Sequence, residues 1–229
     1  RMLRDSISEC PVLSNCLALT DQTKNQNLAL AGSQTGEWAT IDLSSASDLL
    51  SLRLVKLVFS SHPLFLEKAI SCRSHIVDDG NQSIPIYKFA GMGNALTFPI
   101  QSVVFALLCI GAMLEQDGLA PSPRNIRQAS RSVQVYGDDI IVKTEYYHTV
   151  ASWIAAFGLR VNNQKSFHSG FFRESCGMDA YKGVDITPVY VRTNPFSKRL
   201  TASDCASLVS TCNQLWMRGL YEASNTIRD

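Results

Sequence analysis

One stretch constrains this chain more than any other: residues 133–143, VQVYGDDIIVK. Two apolar, β-branched runs, residues 133–136 and 140–142, flank Gly137-Asp138-Asp139. That pattern predicts a β-hairpin whose tip carries two adjacent carboxylates. Asp and Gly are also ordinary turn formers, so an acidic tip by itself is no site. A second acidic strand end changes the weighing. The apolar run at residues 38–41 leads straight into Asp42-Leu-Ser-Ser-Ala-Ser-Asp48. Two strand ends carrying aspartate suit hard, oxygen-seeking divalent ions that hold phosphates.

Composition limits the classes. The 229 residues, 45% hydrophobic and 18% charged with a net charge of +1, allow one substantial core with appended subdomains. Near neutrality argues against a binder that works by bulk charge, and is compatible with an enzyme that grips nucleic acid in a local groove. Seven cysteines, odd in number and without a C-x-x-C pair, point to a reducing compartment rather than a disulfide framework or a zinc site. The opening RMLRDSISEC has no apolar h-region. The longest apolar run, residues 103–114, is too short to span a bilayer and reads as a buried helix.

In chain order, Thr20 or Asp21 starts a helix expected to run through Ala31 and stop at Gly32, with Gln22, Lys24, Asn25 and Asn27 on its solvated side. Residues 33–36 read as a turn and 38–43 as a strand. Ser45 and Asp48 have the S-x-x-D capping spacing, opening a mostly buried helix that reaches about Phe59. Residues 62–88 form a small excursion with a turn at Asp78-Asp79-Gly80-Asn81; His62 and His75 have no partner at ligand spacing. The loop Gly91-Met92-Gly93-Asn94 feeds a helix over 97–114, and glycines ahead of a helix let backbone approach an anion closely. Thr97 also suits a plain N-cap. Arg124, Arg127 and Arg131 read as solvated charge. A helix at 147–157 closes at Gly158, followed by a short strand at 159–161, a polar-aromatic string at 171–177, strands at 184–186 and 189–192, and an interrupted helix over 202–223. The fold class is α+β: an antiparallel sheet with helices packed on one face.

This order, with these residues, resembles the palm of a template-directed RNA polymerase. Asp42-x5-Asp48 looks like its motif A, the Met92-Gly-x3-Thr97 loop and helix like motif B, and Tyr136-Gly-Asp-Asp139 like motif C. The helix at 145–157 with Lys165 resembles motif D, and the hairpin at 175–192 motif E. IDLSSASD, GMGNALTF, VYGDDIIV and FFRESCG, with DQTKNQNLALAGS upstream, resemble the replicase catalytic subunit of positive-strand RNA bacteriophages, a levivirus-like RNA-directed RNA polymerase. Y-G-D-D alone is moderately specific; four motifs in order at sensible separations are highly specific.

The resemblance implies replication of a viral RNA genome by two-metal-ion nucleotidyl transfer from NTPs. Asp42, Asp138 and Asp139 would hold two Mg²⁺ ions about 3.5–4 Å apart, with Mn²⁺ fitting the same cage. Asp42 and Asp138 would bridge, Asp139 being more peripheral. Lys165 matches the motif D lysine that protonates the leaving pyrophosphate; an ordinary surface lysine is the competing reading. Asp48 would accept a hydrogen bond from the ribose 2′-hydroxyl. Gly93, Asn94, Thr97 and Gln101 fall where motif B supports the ribose and templating base, although Met92 stands where many RNA polymerases carry Ser and Gln101 where many carry Asn. Arg173, Lys182 and Arg192 are expected near the product-strand backbone.

By the same resemblance, residues 1–27 are a partial fingers segment and 28–172 the palm core, with a small fingers insertion at about 62–88. Residues 173–194 are then the motif E hairpin and 195–229 the start of a thumb, so the chain reads as a partial polymerase. Implied partners are template and product RNA, NTPs, host elongation factors Tu and Ts and a ribosomal protein, with no membrane, in the cytoplasm of a bacterial host. Two alternatives stand beside this. A reverse transcriptase shares the layout but places a bulky aromatic near the position of Asp48. A non-catalytic metal- or RNA-binding module on the palm fold predicts that Asp138→Asn in the full-length protein changes neither RNA binding nor biological activity.

Overall fold

A computed structural model describes residues 2–91, 93–197 and 199–228. The predicted hairpin forms from β4 (Val133–Tyr136) and β5 (Asp139–Lys143), in a register that pairs Tyr136 with Asp139. Gly137 and Asp138 are thereby left as a two-residue turn. Gly137 sits at φ +65°, the left-handed first position that a type II′ turn assigns to glycine. β1 (Trp38–Ile41) pairs antiparallel with the far side of β5, giving the order β1-β5-β4. Both outer edges are covered: Leu17 bridges Val135, and Phe167 bridges Thr40.

Alternation along these strands sends Ala39, Ile41, Val133, Val135, Ile140 and Val142 to one face, where they join the main apolar core. α7 (Thr97–Gln116) runs through that core, buried nearly all round, with α9 (Tyr147–Ala156) packed against it. α7 is long and apolar enough to cross a membrane; 78% of its most apolar window is buried inside the fold, which makes it a core helix.

The expectation that helices pack on one face is too narrow. α3 (Thr23–Thr35) crosses the opposite face, with Asn25, Ala29, Gly32 and Ser33 buried. It also passes the predicted stop at Gly32 and ends at Gly36, whose φ is +77°. Gly32 serves a close approach instead: a β carbon there would come within 2.6 Å of the Trp38 carbonyl oxygen. Asn25 is buried, not solvated.

α3 also packs against a second antiparallel sheet of β6 (Phe172–Ser175), β7 (Met178–Tyr181) and β8 (Val184–Asp185), whose strand β6 also meets β1 and β5. The polar-aromatic string is therefore largely strand, and residues 189–192, expected to be one, form none. Cys176 and Gly177, both at positive φ (+49° and +73°), make the tight turn between β6 and β7.

The helix expected from Ser45 to Phe59 is broken in two: α4 (Ala46–Leu49) and α5 (Leu52–Val58). Residues at the break pair with a distant segment. Leu52 N–H donates to the Tyr87 carbonyl at 2.9 Å, and Phe89 N–H to the Leu50 carbonyl at 2.7 Å. The intervening excursion carries α6 (Pro63–Ser71) and an exposed hairpin of β2 (Ile76–Asp78) and β3 (Ser83–Pro85). The chain divides into two compact units, Arg1–Ile186 and Thr187–Asp229. In the second, Thr201 and Asp204 form a capping box on α10 (Ala202–Met217), and Gly219 separates it from α11 (Tyr221–Arg228).

Candidate active site

Asp42 directly follows β1, and its carboxylate is held from behind. Residues 160–162 run back along the segment leaving the strand: Ser44 N–H donates to the Arg160 carbonyl and Asn162 N–H to the Asp42 carbonyl, each at 2.9 Å. This brings Asn162 Nδ2 to 2.8 Å from Asp42 Oδ2, while Asp42 N–H donates to Ser166 Oγ at 3.1 Å.

Asp138 is the second residue of the β4–β5 turn, which rests on the first turns of α7. Gly137 N–H donates to Ser102 Oγ at 3.1 Å, and the Ser102 hydroxyl donates to the Phe98 carbonyl at 2.8 Å. The Phe98 and Tyr136 rings meet edge-on at 5.0 Å. A β carbon at Gly137 would lie 2.6 Å from the Phe98 ring, so glycine is needed for space as well as for φ. Burial pushes the Asp138 carboxyl above the usual carboxylate range, a backbone hydrogen bond offsets part of this, and the like charges of Asp139 and Asp42 raise it further.

Asp139 opens β5 and faces α3 and the second sheet. Its Oδ1 accepts from Ser175 Oγ at 3.1 Å and from Cys176 N–H at 2.9 Å, and its carbonyl accepts from Asn25 Nδ2 at 3.2 Å. Burial, then the Asp139 charge, pushes the Cys176 thiol up to about 12, so it stays protonated. Glu174 shares the same field. Burial raises its carboxyl, the Lys165 ammonium at 3.7 Å draws it back, and Asp179, Asp42 and Asp139 raise it again. Lys165 itself is more than half exposed.

Three aspartates from two strand ends thus act on one another electrostatically, with Glu174 and Lys165 at their border. Among the described residues no three His, Cys, Asp or Glu side chains already stand close enough to enclose a metal ion. The donor set nonetheless fits a hard divalent cation: the three side chains offer only carboxylate oxygens, and a cation would offset both the burial and the like charges that raise Asp138.

Asp48 lies in α4 and accepts from Lys88 Nζ at 2.5 Å. The S-x-x-D capping expectation fails: Ser45 adopts φ +53° and its side chain caps nothing. In the glycine loop, Gly93 is at φ +93°, and Met92 lies outside the described residues. Asn94 and Thr97 hold the loop in place. Asn94 Nδ2 donates to the Cys72 carbonyl at 2.8 Å and its Oδ1 accepts from Leu96 N–H at 2.8 Å, while Thr97 Oγ1 donates to the Gly91 carbonyl at 3.0 Å rather than capping α7. Gln101 is 6% exposed, its Nε2 lies 3.5 Å from where a Gly137 β carbon would sit, and its Oε1 has no hydrogen-bond partner among the described residues.

Arg173 is not available to a product strand. It is fully buried, donating from Nε to the Trp38 carbonyl at 2.6 Å and from one terminal nitrogen to the carbonyls of Ser169, Gly170 and Phe172, so it ties β6 to β1. Lys182 lies over the Phe171 and Tyr181 rings, at 5.2 and 5.4 Å. Arg192 belongs to the second unit and is exposed. Sequence reasoning missed Asn25, Lys88, Asn162, Ser175 and Cys176. The turn signal Ser-Cys-Gly at 175–177 was the one available clue.

These features make the chain an α+β protein with a carboxylate-lined site at two adjoining strand ends. Residues 13–219 match the protein family described as RNA replicase, beta-chain, and the chain belongs to that family. It is 40% identical over 174 residues to the RNA-directed RNA polymerase subunit beta of Qbeta virus (strain MX1), which covers 76% of this chain and 28% of that relative. To the RNA-directed RNA polymerase beta chain of Escherichia phage MS2 it is 38% identical over 175 residues, 76% of this chain and 30% of the relative. The chain thus matches less than a third of the length of these relatives.

Proposed function

We propose that this chain carries the nucleotidyl-transfer site of an RNA-directed RNA polymerase that replicates a viral RNA genome, and that residues 28–172 are its palm. The supporting observation is the grouping of Asp42, Asp138 and Asp139 across β1 and the β4–β5 turn, in a chain of the replicase family. Asp42, Asp138 and Asp139 would hold two Mg²⁺ or Mn²⁺ ions. Such ions, when bound, lower the pKa of a primer 3′-hydroxyl and neutralise the triphosphate and the leaving pyrophosphate.

The chain's own residues prepare and orient this site. Asn162 fixes the Asp42 carboxylate, and Ser102 with Phe98 fixes the turn that presents Asp138. Ser175 and Cys176 hold one oxygen of Asp139, which suits it to the more peripheral role. Asp48 accepts the ribose 2′-hydroxyl, selecting NTPs over dNTPs. Gly93, Asn94, Thr97 and Gln101 support the ribose and the templating base, with Gln101 beside the Gly137 turn. Lys165, exposed beside Glu174, delivers a proton to the departing pyrophosphate.

Residues 1–27 would then be part of the fingers, 173–194 the hairpin beside the priming end, and 195–229 the beginning of a thumb. Template and product RNA are the partners. Host elongation factors Tu and Ts and a ribosomal protein are the proposed partners of the whole replicase, in the cytoplasm of a bacterial host. Incorporation of labelled NTP on a primed RNA template by the full-length parent, wild type beside Asp42→Ala, tests the reading. Template-dependent incorporation that the substitution removes supports it; equal incorporation by both proteins refutes the site.

A further inference from the structure

We infer that Lys88 is a positioning residue for ribose selection, acting through Asp48; the inference rests on the polymerase reading above. Four observations converge on it. The helix break at Leu50 and Ser51 opens backbone groups that pair with residues 87–89, and Ser51 forms an antiparallel bridge with Lys88. Arg73, 6% exposed, clasps the same segment from the other side. Its Nε donates to the Phe89 carbonyl at 2.7 Å, and its Nη2 to the carbonyls of Ile86 and Lys88 at 2.6 and 3.1 Å. A segment held on both sides delivers the Lys88 ammonium to Asp48 Oδ1 at 2.5 Å. The same ammonium stands 3.5 Å from where a Gly91 β carbon would sit, so it lies where the glycine loop begins.

A half-exposed aspartate alone has rotamers to choose from and water to choose over a sugar hydroxyl. One oxygen bonded to a lysine on a clasped strand leaves the other as the acceptor and fixes its direction. A ribose 2′-hydroxyl gains that bond. A deoxyribose makes no such bond and leaves the oriented acceptor to water, so the discrimination is the net worth of one charge-assisted hydrogen bond. Lys88 does not touch the reacting atoms, and its effect belongs in the ratio of NTP to dNTP use rather than in the chemical step.

The test is single-nucleotide extension of a primed RNA template by the full-length parent, measuring kcat/KM for CTP and for 2′-dCTP. In Lys88→Met the CTP value falls about tenfold through KM while the dCTP value holds, so the ratio shrinks. Lys88→Arg retains most of the ratio. In an Asp48→Asn background, Lys88→Met changes the ratio no further, because the partner is already gone. Equal losses for both nucleotides, or an unchanged ratio in Lys88→Met, overturn the inference while leaving the polymerase intact. If wild type gives no product that Asp138→Ala abolishes, the polymerase reading itself falls and takes this inference with it.

Discussion

Two hairpins in this chain carry paired aspartates next to a turn glycine, and they behave in opposite ways. At the β2–β3 tip, Asp79 Oδ1 accepts the N–H groups of Gln82 and Asn81 at 2.8 and 2.9 Å, and Asp78 Oδ1 accepts that of Gly80 at 2.9 Å. Those amides, Gln82 first, hold the Asp79 carboxyl below the usual carboxylate range. At the β4–β5 tip, burial and like charges push Asp138 above it. Donors from the turn itself favour the charged form; desolvation and neighbouring carboxylates disfavour it. An Asp pair at a hairpin tip is therefore a turn signal, and what makes one a candidate site is a second acidic strand end, here Asp42, arriving beside it.

The largest expected difference between the two is catalytic. In the full-length parent, Asp138→Ala lowers NTP incorporation by about three orders of magnitude, the scale of several kcal/mol of lost charge stabilisation, whereas Asp79→Ala incorporates at the wild-type rate. Loss of activity in the Asp79 variant would mean that the β2–β3 tip also serves the chemistry.

Stability separates the turns next. Gly137→Ala places a methyl group against the Phe98 ring at a left-handed φ and costs about 3 kcal/mol in urea unfolding, from overpacking and backbone strain together. Gly80 has the same handedness at φ +88° with nothing near it, so Gly80→Ala costs only the strain, about 1 kcal/mol. Equal costs would mean that the β4–β5 turn does not rest on α7.

The smallest effect concerns pH. Asp138 has a raised carboxyl in the folded state, so its ionisation opposes folding at neutral pH, and that penalty disappears as pH falls through the folded pKa. Asp79 has a depressed one, so its contribution is present above the usual carboxylate range and is lost as pH falls through its folded pKa. Without divalent metal, Asp138→Asn should raise Tm at neutral pH and Asp79→Asn should lower it slightly. Both differences should vanish in strong acid, as thermal melts across pH will show. A lower Tm for Asp138→Asn at neutral pH would contradict the assigned environment.

What could be read from the sequence was local. The β4–β5 hairpin, β1, the helix that follows the glycine loop and the Gly158 stop all show as short-range patterns of apolar residues and turn formers. What escaped depends on segments that are distant in sequence. Nothing in the periodicity of residues 45–59 announces that residues 50–52 pair with 87–89, so one helix was expected where the chain forms two. Gly32 looks like a helix stop and is instead a contact with Trp38. Arg73 and Arg173 are isolated charges in the sequence, yet Arg73 collects the carbonyls of residues 86, 88 and 89, Arg173 collects those of Trp38 and of residues 169, 170 and 172, and both are buried. Of the candidate site, the three aspartates were legible because strand ends are local features. Their supports Asn162, Ser175 and Asn25 were not, because they reach the aspartates from 120, 36 and 114 residues away along the chain.

The proposed polymerase site stands or falls on whether the carboxylates of Asp42, Asp138 and Asp139 hold the divalent ions. Fe²⁺ substituted for Mg²⁺ in the full-length parent, followed by ascorbate and peroxide, cuts the backbone beside the bound ion and reports its place directly. Cuts are expected near residue 42 and residues 138–139, abolished by Asp138→Asn and by excess Mg²⁺. Cuts near residues 78–79, or a pattern indifferent to Asp138→Asn, would contradict it.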